Sequence, residues 1–266
     1  MKFNKLACLL FFVFQFCEFR ANAEEPQMYI VLMVGQSNMA GRGYFGNPLD
    51  TVSYDNIFSL SKDSVWVRAR NPLHHDKPEA SVGMGITFAH ELAAKSGRNV
   101  KIGLVPCAAG GTSIEQWLNN SFFGHTGNFY LYDNLIKRAR KAAKSGKIIG
   151  LIWHQGESAS ASGRSVGYQA KMDTLFRRIR KDLDNPELPI VAGEIGYFLS
   201  KRTDCPEWQK VNESIVGLKN SLSKFDVVTA DGLTSNPDNL HFSAAAQREL
   251  GKRYAGIFYQ LVFGDK

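Results

Sequence analysis

Ser37 and His241 are the residues of this chain best placed for nucleophilic chemistry, and Asp238 stands three positions before the histidine. Acyl transfer needs a nucleophile, a base to take its proton, a group that orients the base, and donors for the oxygen that becomes negative. Ser37 lies in Gly35-Gln36-Ser37-Asn38-Met39-Ala40-Gly41, directly after the apolar run Met28 to Val34. A run without alternation is expected of a strand buried on both faces of a parallel sheet, and the flanking glycines let the chain turn sharply. Ligands of such sheets bind beyond the carboxyl ends of the strands, which positions this hydroxyl for chemistry. Gly-x-Ser alone describes an ordinary strand-end turn better than a nucleophile. The later Asp238-Asn239-Leu240-His241 tips the reading, because an Asp three residues before a His shares one side of a helical turn and can hold the imidazole tautomer. Asp238 also fits a helix cap, a task Ser243 performs equally well for the helix beginning Ala244-Ala245-Ala246.

Two further strand ends carry polar chemistry. Pro106 to Trp117 contains Gly110-Gly111-Thr112-Ser113, where adjacent glycines let backbone N–H groups approach a substrate oxygen, or simply make a strand-to-helix turn capped by Thr112 or Ser113. Trp153-His154-Gln155-Gly156-Glu157-Ser158 places an amide donor at Gln155, a second carboxylate at Glu157 and a rival base at His154, which lacks a carboxylate at a helpful spacing. His74-His75-Asp76 is the one dense cluster of metal-ligand types; adjacent side chains on an extended segment point opposite ways, so a lining or surface role is expected and no metal site. There is no phosphate-binding or dinucleotide glycine pattern, and no cofactor is expected.

Five apolar runs read as the strands that position these groups: Met28 to Val34, Val100 to Val105, Lys147 to Trp153, Leu188 to Glu194 and Phe225 to Ala230. Helical patterns over Phe88–Lys95, Phe129–Lys144, Tyr168–Leu183, Glu207–Leu222 and Ala244–Val262 alternate with them, which predicts one α/β domain with a mainly parallel sheet between helices. The irregular connection from Arg42 to Met84 offers Val52–Asp55 and Ile57–Leu60 as short strands, and a connection of that length is more often functional than slack.

The first residues have the pattern of an export signal. Lys2 and Lys5 precede a largely apolar stretch of eleven residues, Leu6 to Phe16, too short to span a bilayer, and Ala21-Asn22-Ala23 is a cleavage site. A secreted or periplasmic protein is expected, comprising a signal peptide at 1–23 and a single domain at 24–266. Cleavage removes Lys2, Lys5, Arg20 and Glu18, so the formal charge of +7 falls by 2 to +5. The remaining positive residues cluster at helical spacing as solvated faces, without the interleaved aromatics of a nucleic-acid groove, so neither nucleic acid nor membrane is an expected partner. Of the cysteines that survive cleavage, Cys107 ends an apolar run, and burial is preferred over a bond to Cys205.

Taken in order, Gly35-Gln36-Ser37-Asn38, Gly110 to Trp117, Trp153-His154-Gln155-Gly156-Glu157 and Asp238-Asn239-Leu240-His241 resemble the SGNH (GDSL-like) hydrolases, and more narrowly their carbohydrate acetylesterase branch, the sialate O-acetylesterase and acetyl xylan esterase group known as carbohydrate esterase family 6. The resemblance spans about Tyr29 to Tyr259. It implies a three-layer α/β/α sandwich with a flavodoxin-like strand order, no metal, and hydrolysis of O-acetyl groups on an acetylated carbohydrate. By position it implies Ser37 as nucleophile, His241 as base and Asp238 as orienting carboxylate. The oxyanion donors would be the Ser37 N–H, the N–H of Gly111 in preference to Gly110, and Gln155 in place of the asparagine of the wider SGNH pattern. Gln36, Asn38, Gly110, Glu157 and Trp117 stand beside these as candidate supporting or substrate-binding residues, and Trp66, Trp117 and Trp153 are of the type that stacks on sugars. Two other functions share the scaffold: a non-catalytic carbohydrate-binding domain, and a lipid esterase or thioesterase.

Overall fold

The structure is a computed structural model that describes residues 28–97 and 100–264; the expected signal peptide lies outside them. The uninterrupted apolar run forms β1 (Tyr29–Gly35), and Ile30 to Val34 are almost completely shielded from solvent, as a strand covered on both faces requires. Around it lie β2 (Ile57–Leu60), β3 (Trp66–Arg68), β4 (Ile102–Pro106), β7 (Lys147–His154), β8 (Ile190–Gly193) and β9 (Phe225–Val228), in the order β3-β2-β4-β1-β7-β8-β9. All pairings are parallel except that of β2 with β3. The five expected strands are β4, β1, β7, β8 and β9, and their spatial order is that of flavodoxin.

The sheet has seven strands because the Arg42–Met84 connection adds two short ones at one edge. Ile57–Leu60 is the strand expected there. Val52–Asp55 is not a strand; Tyr54 instead stacks on His90, ring centroids 4.0 Å apart.

The helices form two layers. α2 (Gly85–Ser96) packs against α7 (Ala244–Phe263) on one face, where the rings of Phe88 and Phe258 meet edge to face. On the other lie α3 (Ile114–Leu118), α4 (Leu131–Ala142), α5 (Tyr168–Asp182) and α6 (Trp208–Gly217), with α3 packed against both α4 and α5, and α5 against α6. The helix expected from Phe129 begins at Leu131, because Phe129 and Tyr130 form β6, paired in a small hairpin with β5 (Phe122–Phe123). The helix expected over Glu207–Leu222 is α6 followed by a 3₁₀ turn at Leu218–Asn220. Trp117 and Trp153 are wholly buried and touch edge to face between α3, β7 and Phe176 of α5. They are core, and the sugar-stacking role does not fit them. Cys107 and Cys205 are both buried and unpaired.

β1 is central, with β4 on one side and β7 on the other, and the chain reverses its direction of winding between β1 and β7. That switch point is where crevices form in open α/β sheets. Gly35 is opposite His154, and a Cβ at Gly35 would lie 2.1 Å from the His154 carbonyl oxygen. No other residue fits where the two strand ends approach so closely. Gln36 and Ser37 leave the sheet at this point.

Candidate active site

Ser37 opens α1, a single turn over Ser37–Ala40, and its hydroxyl faces the loop preceding α7. Ser37 Oγ is 3.1 Å from His241 Nε2, and His241 Nδ1 is 2.7 Å from Asp238 Oδ2. Asp238 and His241 are brought together by a tight turn rather than a helix, with Asn239 at φ 50°. Asp238 Oδ1 accepts the N–H groups of Leu240 and His241 at 2.9 and 3.0 Å, so the turn is closed by its own aspartate. Burial disfavours the charge of this carboxyl, but those N–H groups and the imidazole outweigh it and hold the pKa below the usual carboxylate value. Ser243, not Asp238, caps α7, accepting the N–H of Ala246. Arg202 braces the turn from outside through the Asp238 carbonyl at 2.8 Å.

Asn38, next to Ser37, ties this distant turn to the strand end. Its Oδ1 accepts the Phe242 N–H at 3.1 Å and its Nδ2 donates to the Leu240 carbonyl at 3.2 Å and to Glu157 Oε1. Bonds on both sides of His241 fix the height of the imidazole over Ser37. Glu157 therefore holds Asn38 and does not serve the histidine. It is buried, which raises its carboxyl pKa despite the opposing Asn38 bond. His154 has no access to the site: it is fully buried with Nδ1 3.0 Å from the Tyr254 hydroxyl, and burial lowers its pKa to about 3.

The glycine pair is asymmetric. Gly110 N–H donates to Asp76 Oδ2 at 2.7 Å, and Asp76 also holds Arg42 in a buried ion pair at 2.7 Å. A Cβ at Gly110 would meet the same two side chains at 2.5 and 2.9 Å. Gly111 follows at φ +81° with only Lys77 Nζ close to where a Cβ would stand, at 3.7 Å, and its N–H has no acceptor among the described residues. The preference for Gly111 over Gly110 as the donor thus has a cause, Asp76. Trp117 supports this loop from the core through its indole N–H to Thr112 Oγ1, 3.1 Å. Ser113, with Gln116, caps α3.

Gln155 is where the sequence expectation fails. The side chain is fully buried, and its Nε2 donates to Gln36 Oε1 at 3.0 Å and to the Thr112 carbonyl at 3.3 Å. A carbonyl only accepts, so Thr112 fixes which end of this amide is nitrogen, and both its hydrogens are spent. Gln36 must then present its oxygen to Gln155, which leaves the Gln36 Nε2 on the pocket side with no partner among the described residues. Gln36, not Gln155, offers an amide to the space above Ser37.

That space is a pocket of about 920 Å³ reached by Gln36, Ser37, Gly111, Glu157 and His241. Its outer wall comes from the irregular connection, where Tyr44 and Phe45 are exposed and Lys77 lies beside Gly111. Arg164 and Arg202 also line the pocket. Sequence reasoning missed Arg42, Tyr44, Phe45 and Lys77. Their one signal was the length of the connection that carries them.

Fold and site together define a three-layer hydrolase of the SGNH type. The chain belongs to the family described as carbohydrate esterase, sialic acid-specific acetylesterase, whose model matches residues 27–260, and it is an esterase. It is 35% identical over 256 residues to the "Probable carbohydrate esterase At4g34215" of Arabidopsis thaliana, covering 88% of this chain and 91% of that protein. The solved structure of that Arabidopsis protein superimposes with a TM-score of 0.77 at 33% identity over 89% of this chain and 99% of the other. Two more distant structures share the fold: NanS, with a TM-score of 0.70, 19% identity, and 89% and 98% of the two chains covered, and a carbohydrate acetylesterase from Xanthomonas citri, with 0.68, 21%, and 89% and 57%.

Proposed function

We propose that this protein is a secreted serine esterase that removes O-acetyl groups from carbohydrates through an acetyl-enzyme at Ser37. The observation that carries the reading is the line Ser37 Oγ, His241, Asp238, with separations of 3.1 and 2.7 Å in a pocket wide enough for a sugar. Ser37 Oγ attacks the acetyl carbonyl carbon while His241 Nε2 takes the hydroxyl proton, and Asp238 holds the Nδ1–H and stabilises the imidazolium. The oxyanion receives the N–H of Ser37, the N–H of Gly111 and the amide of Gln36. On collapse His241 returns the proton to the departing sugar hydroxyl. Water, deprotonated by the same imidazole, then attacks the acetyl-serine and releases acetate.

The family and the Arabidopsis relative support the carbohydrate ester class, and the acetyl group follows from the family description. Ser37→Ala tests the mechanism: it is expected to remain folded, to lose acetate release from acetylated glycans, and to lose labelling by a serine-directed fluorophosphonate. Wild-type protein should prefer acetyl over octanoyl esters. Full hydrolysis by folded Ser37→Ala, or the reverse chain-length preference, overturns the reading.

A further inference from the structure

A second concavity, of about 310 Å³, opens beyond the carboxyl ends of β2 and β4, separated from the Ser37 pocket by the Asp76 segment. His74, Asp76, Cys107 and Arg138 form its buried floor, and Lys62 and Lys137 stand at its mouth. Several floor atoms have no partner among the described residues: both ring nitrogens of His74, Arg138 Nε and Asp76 Oδ1 are buried without a hydrogen bond there. Buried polar atoms left unsatisfied are costly, and a site that collects them is matched to something that supplies the missing bonds.

The charges favour a carboxylate. Arg138 spends its Nη groups on the carbonyls of Leu60 and Ser61, Lys62 donates to the Thr126 carbonyl, and Lys137 makes no ion pair among the described residues. Among the described residues no carboxylate forms an ion pair with any of these three. Opposing them are Asp63 at the mouth and Asp76, whose charge is already met by Arg42. The floor is not purely cationic, however. Asp76 Oδ1 needs a donor, and burial lowers the His74 pKa to about 4, so its neutral ring offers one donor and one acceptor. Phe129 adds an apolar wall.

We propose that this cavity is a second, non-catalytic binding site for a hydroxylated carboxylate, an acidic sugar unit of the uronate kind, with its carboxylate toward Arg138, Lys62 and Lys137 and a hydroxyl toward Asp76 Oδ1. Such a site holds an acidic residue of a glycan next to the pocket where the ester is cleaved. It does not depend on the chemistry assigned to Ser37, because binding is read directly.

Titration calorimetry of the protein with sodium glucuronate, sodium acetate and glucose is the test. Arg138 also holds the β2 end, so the charge is reversed at the exposed Lys137 instead, with Lys62→Glu as a second variant and a melting curve to verify folding of each. Glucuronate is expected to bind, acetate more weakly and glucose not at all, and Lys137→Glu and Lys62→Glu should each weaken glucuronate by about fivefold or more. Absence of glucuronate binding, equal binding of glucose or of acetate, or affinity unchanged in both folded variants overturns the proposal. Loss of esterase activity in Ser37→Ala leaves this titration unaffected, so the two ideas fail separately.

Discussion

Replacing Gln36 by alanine should slow turnover far more than it disturbs the fold, and Gln155→Ala should do the opposite. Gln36 Nε2 is the amide left facing the pocket, whereas both Gln155 hydrogens are held by Gln36 Oε1 and the Thr112 carbonyl. Loss of one oxyanion donor costs about 3–4 kcal/mol of barrier, so Gln36→Ala should lower kcat by roughly 10²–10³ with little change in KM. Its structural cost is one unmet hydrogen on buried Gln155, about 1–3 kcal/mol. Gln155→Ala removes three hydrogen bonds instead, those of Gln36 Oε1, the Thr112 carbonyl and the Tyr168 hydroxyl, leaving Ser158 Oγ, 3.5 and 3.3 Å from the first two, and the Gln155 backbone carbonyl, 2.7 Å from the third, as their remaining partners. At about 0.5–1.5 kcal/mol per lost bond that amounts to roughly 2–4 kcal/mol of stability, or a fall in Tm of about 4–16 °C for a domain of this size.

Gln155 reaches the reaction only by aiming Gln36, so the two losses cannot add. The double variant should have the kcat of Gln36→Ala alone, within about twofold to threefold. Gln36→Glu should be slower than Gln36→Ala, because a carboxylate has no hydrogen to donate and opposes the oxyanion's charge. The assay is aryl acetate hydrolysis at saturating substrate, paired with thermal melting of each variant. Gln36→Ala at wild-type kcat, or a double variant whose loss is the product of the two single losses, refutes this assignment of the amides.

Two other outcomes follow from the same structure. Burial raises the folded-state pKa of Glu157 above its ordinary 4.5, so the unfolded chain releases this proton first as pH rises and wild-type stability falls above 4.5; the Tm of Glu157→Gln relative to wild type should therefore increase as pH rises through and above about 4.5, and a pH-independent difference would show that the Glu157 pKa is not raised in the folded chain. The exported protein should begin at Glu24, read by N-terminal sequencing of material recovered outside the cytoplasm; an intact Met1 terminus there contradicts the signal-peptide assignment.

Much of the architecture could be read from residue order because burial on both faces leaves a continuous apolar run, and β1, β4 and β7 are of that kind. β2 and β3 were harder, being four and three residues long within a segment rich in turn formers. Ser37, Asp238 and His241 declared themselves by type and spacing, and the structure brings them within hydrogen-bonding distance. The amides did not. Gln36 and Gln155 each follow a strand, and which one faces the pocket depends on the β1–β7 register that sets Gly35 opposite His154. The same ambiguity made buried tryptophans resemble sugar platforms, while the exposed aromatics, Tyr44 and Phe45, sat in the connection with no periodicity to mark them. The Arg42–Asp76 pair spans 34 positions of irregular chain, and no local pattern announces it.

The Asn38 clamp gives hydrolytic competence a definite place in the life of the chain. Ser37 and His241 are 204 positions apart, and the clamp closes on Leu240 and Phe242, immediately ahead of α7. A polypeptide still emerging from the ribosome carries an inert serine through most of its synthesis. On the proposed mechanism activity requires the 238–242 turn to dock on Asn38, so products truncated before that turn are expected to be silent rather than partly active.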